Sequence, residues 1–118
     1  MFRFAEDIPV YLHRDPIDFR AGIGALAIRV EQSMQLSPFS RAIFAFCNRR
    51  RSSMKILLWD RSGFVLILKR LEASDKFSWP RRGEAVLEVT SEQLGWLLDG
   101  IDIAAVQRHP QRTYLRAG

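Results

Sequence analysis

The sequence has one cysteine, two histidines and no apolar run long enough to cross a bilayer. The single thiol, Cys47, excludes an internal disulfide and a cysteine zinc cluster; within AIFAFC it reads as a small hydrophobe on a buried strand. His13 has no second histidine at metal-binding spacing. No stretch approaches the ~20 residues of a membrane span, and MFRFAED lacks the apolar centre of a secretory signal. The expected location is therefore the cytoplasm, with no membrane partner. Catalytic signatures are also missing. There is no serine elbow and no cysteine–histidine pattern, and RAGIGALA has glycines without the lysine or the preceding strand of a phosphate loop. The carboxylates Asp7, Asp15, Asp18, Asp60, Glu72, Asp99 and Asp102 fall in no spacing typical of a metal-dependent nuclease. No catalytic residue, metal site or cofactor is assigned, and a non-enzymatic role is expected.

Acidic residues are scarce in one place. Residues 41–70 hold Asp60 alone against eight basic side chains, +7, whereas residues 1–40 carry −1, residues 71–103 carry −4 and residues 104–118 carry +3. The overall +5 is thus concentrated in NRRRSSMKILLWDRSGFVLILKRL, residues 48–71, and in the tail. This stretch reads as a basic turn, a strand, a tight turn and a second strand. Arg49, Arg50 and Arg51 stand at one end, Arg61 at the other, and Lys69 and Arg70 close it. Arginine forks suit phosphate, and so dense a cationic segment attracts polyanions. Arg49, Arg50, Arg51, Lys55, Arg61, Lys69 and Arg70 are the candidate nucleic-acid contacts. The plainer alternative is that these charges only solvate strand ends. Trp59 and Trp79, near in sequence, are better placed as core than as stacking platforms.

In chain order, IPVYLH reads as a short strand with Pro9 marking an edge or a first position. DPID offers Asp15 or Asp18 as a helix cap, with Pro16 at the first helical position. Phe19, Ile23, Leu26, Ala27, Val30 and Met34 then recur at helical spacing over about four turns. Gly22 and Gly24 inside that helix suggest close backbone packing. RAIFAF, MKILLWD and FVLILKRL form an antiparallel meander over 42–47, 54–60 and 63–71, with Gly63 available for positive φ in the DRSG turn. Met54, Ile56 and Leu58 face one way and Lys55, Leu57 and Trp59 the other. Apolar residues on both faces require two covers, one from the first helix and one from a later segment or a second copy. KFSWP reads as a short edge strand ended by Pro80, and VLEVT as another strand. Thr90 with Gln93 forms a capping box for SEQLGWLLD, which stops at Gly100.

Several separated motifs, in order, carry a resemblance. They are PIDFR with a glycine shortly after, NRRR followed by KILLWD, then KRLE, FSWP and QLGWLLDGID. Over about residues 8–103 the chain resembles the small accessory protein encoded by the second reading frame of the insertion sequence sixty-six family, often labelled TnpB. The resemblance implies a mobile-element protein that assists transposition beside a separately encoded transposase, which carries the catalysis. The matching positions are Asp18, Arg20, Gly22, Arg49, Arg50, Lys55, Trp59, Asp60, Gly63, Lys69, Arg70, Leu71, Trp79 and Pro80. Ala21 stands where the family usually has lysine, and Ser52–Ser53 replace a commonly charged pair.

The expectation is an α+β domain over residues 1–103, an antiparallel sheet of four to six strands with two helices, followed by a basic, flexible tail over 104–118. The expected function is assistance to transposition through DNA bound at the basic hairpin. The alternative is an adaptor that self-associates or binds the transposase without touching DNA.

Overall fold

The alternation in IFAFC has no polar phase, and such a strand must be covered on both sides. In the computed structural model, which describes residues 4–5, 7–72 and 74–102, this segment is buried at every position and lies in the middle of the sheet. The elements are β1 (Val10–His13), α1 (Ile23–Gln32), β2 (Ile43–Cys47), β3 (Ser53–Asp60), β4 (Gly63–Arg70), β5 (Val86–Val89) and α2 (Ser91–Leu98). The strand order is β4-β3-β2-β1-β5. β2, β3 and β4 form the expected antiparallel meander, with Ile43 opposite Leu58 and Ser53 opposite Arg70. The sheet as a whole is mixed, not antiparallel, because β1 runs parallel to β2. Two strands joined through a helix on one face return in the same direction, and α1 is that crossover.

Each face has its own core. Leu26 and Val30 of α1, and Met34 just after it, pack with Phe44, Phe46 and Leu57. Leu94, Leu97 and Leu98 of α2 pack with Val10, Leu12, Ile43, Ala45, Met54 and Ile56, joined by Phe77 and Trp79. The second cover is thus a later segment of the same chain. β1 is an internal strand, with Pro9 just before it: its carbonyl accepts from the Ile43 amide, and its missing N–H is outside the ladder.

Four local expectations are corrected. The helix begins at Ile23 behind a Gly22 cap with no side-chain hydrogen bond, not at Pro16. Residues 16–21 are claimed by other partners: the Ile17 amide donates to the Cys47 carbonyl, and Lys55 takes the carbonyls of Phe19 and Ala21. A Cβ at Gly22 or Gly24 would meet nothing within 4 Å, so these glycines do not serve close packing. Positive φ in the β3–β4 turn falls on Arg61 (53°), while Gly63 opens β4. KFSWP is not a strand. Its Phe77 amide donates to the Arg51 carbonyl, and Phe77 and Trp79 are buried as core plugs.

The capping box at α2 is present in both directions, Gln93 N–H to Thr90 Oγ1 at 3.0 Å and Thr90 N–H to Gln93 Oε1 at 2.8 Å. Gly100 (φ 80°) ends that helix, as only a residue without Cβ does easily. Residues 103–118, which include the expected basic tail, lie outside the described residues. No helix among the described residues is long and apolar enough to cross a membrane.

Candidate nucleic-acid interface

The turn between β2 and β3 is held by one side chain. Asn48 Oδ1 accepts from the amides of Ser52 (2.9 Å) and Ser53 (3.1 Å), while its Nδ2 donates to Ser52 Oγ at 3.1 Å. Short amide side chains close turns in this way. The Arg51 amide donates to the Asn48 carbonyl, and Arg51 sits in the left-handed region at φ 58°, a conformation uncommon outside glycine. Ser52 and Arg51 carbonyls then accept from Leu71 and Phe77, tying the turn to β4's end and to the 77–79 segment. The three arginines therefore project from a braced backbone.

Around this turn the sheet end is cationic. Arg49, Arg50 and Arg70 are exposed and Arg51 half-buried, with Arg70 opposite Ser53 in the β3–β4 register. Among the described residues no carboxylate lies within salt-bridge distance of these four; the ion pairs present are Arg14–Asp15, Arg20–Asp18 and Arg41–Asp7. Two clefts flank the turn. One, of about 240 Å³, is lined by Arg14, Arg49, Arg51 and Arg81 over Pro16, Cys47, Trp79 and Pro80. The other, of about 710 Å³, is lined by Arg50, Arg70 and Lys76 with Asp75 and the turn serines. Successive arginines thus serve opposite sides of one ridge.

Three of the seven sequence candidates sit elsewhere or are engaged. Lys55 Nζ donates to the carbonyls of Phe19 (2.7 Å) and Ala21 (2.8 Å) and lies 4.8 Å from the Phe19 ring centroid. Lys69 Nζ donates to the Leu98 carbonyl at 2.6 Å, where the C-terminal end of α2 favours a cation. Arg61 occupies the opposite turn, about 25 Å away along the strands at ~3.3 Å per residue. Arg14, Lys76 and Arg81 were missed by sequence reasoning. They arrive from segments remote in the chain, and the only local hint was the basic pair following WP.

The remaining motif positions are structural. Trp79 Nε1 donates to the His13 carbonyl at 3.1 Å within the core, with Pro80 at the cleft rim. Trp59 is half-buried and packs edge-on against Phe64 (5.0 Å) and Phe39 (5.1 Å). Asp60 and Gly63 bound the tight turn. Asp18 grips Arg20 through its guanidinium (Nη2 to Oδ2, 2.6 Å) and its amide (2.9 Å). The Arg20 side chain, then its amide, hold the Asp18 carboxyl down at about 2. Its contribution to stability is complete above the ordinary carboxylate range and is lost as pH falls toward 2. An NMR pH titration is expected to place the Asp18 midpoint near 2, and Arg20→Gln to move it upward toward 3.8.

Cys47 forms part of the smaller cleft's floor, yet burial pushes its thiol up to about 12, against the opposing charge of Arg51. The thiolate is the reactive form. The folded chain is therefore expected to resist iodoacetamide near neutral pH and to be alkylated only on unfolding, as mass spectrometry would report. Among the described residues no group of three or more His, Cys, Asp or Glu side chains is placed to hold a metal ion.

Neither helix offers a cationic reading face: α1 has Arg29 beside Glu31, and α2 carries Glu92 and no basic residue. The charged surface belongs to a turn and a sheet end. The model of the family described as IS66 Orf2 like protein matches residues 8–108, and the chain belongs to that family, a transposition accessory type of an insertion sequence. Two relatives from Sinorhizobium fredii are similar along most of their length. The uncharacterized protein y4hO is 32% identical over 97% of this chain and 95% of its own, and the uncharacterized protein y4jC is 34% identical over 80% of each. No solved structure matches the chain.

Proposed function

We propose that the protein assists transposition, beside the element's transposase, by holding DNA through phosphate contacts from the β2–β3 turn and its neighbours. The observation that carries this reading is the cluster of Arg49, Arg50, Arg51 and Arg70 at one sheet end without acidic partners among the described residues. Phosphate contacts position a duplex without reading its sequence, and a turn bearing only arginines suits that role. Lys55, Lys69 and Arg61 contribute less than their charge suggests, because two are engaged by carbonyls and one is remote.

A titration of labelled duplex at two salt concentrations tests it. Neutralising roughly four phosphates gives a log–log salt slope of about −3.6, so affinity should fall about 150-fold between about 50 and about 200 mM. Arg49→Ala with Arg50→Ala should reduce the slope by about 2. Absence of binding, or a slope unmoved by the double substitution, defeats the proposal.

One observation favours the adaptor reading. Among the described residues the outer edge of β4 pairs with no other strand; β4 spans eight residues without proline and exposes Leu68 (59%) and Val65 (38%). Such edges invite another strand. Light scattering of the protein alone and a pull-down with the transposase measure that reading separately from DNA binding.

A further inference from the structure

The two clefts beside the arginine turn differ in size and lining. The wider one combines Arg50, Arg70 and Lys76 with Asp75, serines, Phe19 and Leu71, a groove suited to a backbone passing over it. The smaller one sets Arg14, Arg49, Arg51 and Arg81 around Pro16 and Pro80. Its frame is fixed by hydrogen bonds among three chain segments: Ile17 amide to Cys47 carbonyl (3.0 Å), Phe77 amide to Arg51 carbonyl (2.7 Å) and Trp79 Nε1 to His13 carbonyl (3.1 Å). The site is thus formed before any ligand arrives, and little ordering cost is left to binding.

Its charge is also largely uncommitted. Asp15, the cleft's one carboxylate, is already engaged by Arg14 Nε at 3.1 Å, and Arg14 Nη1 is held by the Gly83 carbonyl at 2.6 Å. Arg49, Arg51 and Arg81 remain without a carboxylate among the described residues. Pro16 and Pro80 line the same cleft and supply apolar ring surface, whereas Trp79 is almost wholly buried. A ligand that satisfies both halves needs an anionic group beside a flat, weakly polar one. At about 240 Å³ the cleft falls below the range of ~300–1,000 Å³ usual for drug-sized ligands. It has room for a single small unit.

We infer that this cleft takes one unpaired nucleotide of a DNA strand, its phosphate on Arg49, Arg51 and Arg81 and its base or sugar against Pro16 and Pro80. The inference rests on the DNA-binding reading above and narrows it. A base inside a duplex is stacked and paired, so it presents no face to such a floor. Frayed or single-stranded ends do. The protein would then distinguish the termini of a DNA segment from its interior, with the wider cleft supplying affinity common to both.

The test compares two labelled duplexes of equal length by fluorescence anisotropy at one ionic strength. One is closed by hairpin loops at both ends through non-nucleotide linkers, and the other carries a short single-stranded overhang. The overhang substrate should bind about tenfold more tightly. Arg81→Ala, at an exposed position outside any strand or helix, should weaken the overhang substrate far more than the closed duplex and so erase most of that preference. Arg50→Ala, on the other cleft, should weaken both substrates alike and preserve their ratio. Equal binding of the two substrates, or a preference that survives Arg81→Ala, overturns the inference while leaving the DNA-binding reading intact. No binding of either substrate overturns both.

Discussion

Phe44→Ala is expected to lower the unfolding free energy by about 3–5 kcal/mol, the range for deleting a buried aromatic ring from a core. Phe44 is fully buried on the central strand, stacked 5.9 Å from Tyr11 and packed among the residues that α1 covers. The cavity cannot easily collapse, because β2 is fixed on one side by β1 and on the other by β3. A domain's total stability is about 5–15 kcal/mol, so this one change should leave a marginal or unfolded chain. Urea unfolding followed by circular dichroism measures it. A loss below about 1 kcal/mol, the scale of an ordinary surface-to-moderate substitution, would contradict the packing described.

Lys55→Ala is expected to cost about 2–3 kcal/mol of stability and to leave DNA affinity nearly unchanged. A hydrogen bond to a charged group contributes about 1.5–3 kcal/mol, and this ammonium makes two, to the Phe19 and Ala21 carbonyls. Both are chain groups immediately before α1, so the substitution should loosen the entry to that helix. Arg50→Ala should do the reverse, changing stability by less than about 0.5 kcal/mol as exposed side chains usually do while weakening DNA. Parallel unfolding curves and binding titrations separate the two classes of cation. If Lys55→Ala instead impaired binding with stability intact, the bracing role assigned to this lysine would be wrong.

Much of the sheet could be read from hydrophobic pattern alone. The β2–β3–β4 meander has short turns and unbroken apolar phases, and the side assignment of Met54, Ile56 and Leu58 against Lys55 and Leu57 matches the two core clusters. Thr90 and Gln93 signalled α2 because a capping box is a local device. Non-local partners defeated the reading elsewhere. Nothing near Pro16 reveals that Ile17 and Phe19 are engaged by Cys47 and Lys55, so the local pattern starts the helix earlier than the fold does. The parallel pairing of β1 with β2 likewise depends on where the crossover lands. The same gap explains the site. Arg49 and Arg50 announced themselves as a run, whereas Arg14 and Arg81 come to the cleft only through folding, and Lys55 and Lys69 are tied to distant carbonyls only through it.

The position of β1 between β2 and β5 has a consequence for how the chain matures. Val10, synthesised well before β5, lies opposite Val89, and Leu12 opposite Leu87. Loop closure over such a span is entropically costly and slows folding. Until the ribosome has delivered β5 and α2, the surface formed by Val10, Leu12, Ile43, Ala45, Met54 and Ile56 has no lid. A growing polypeptide with so much uncovered apolar surface is prone to stick to its neighbours. The last quarter of the described chain therefore acts as the seal on the face that α1 leaves open.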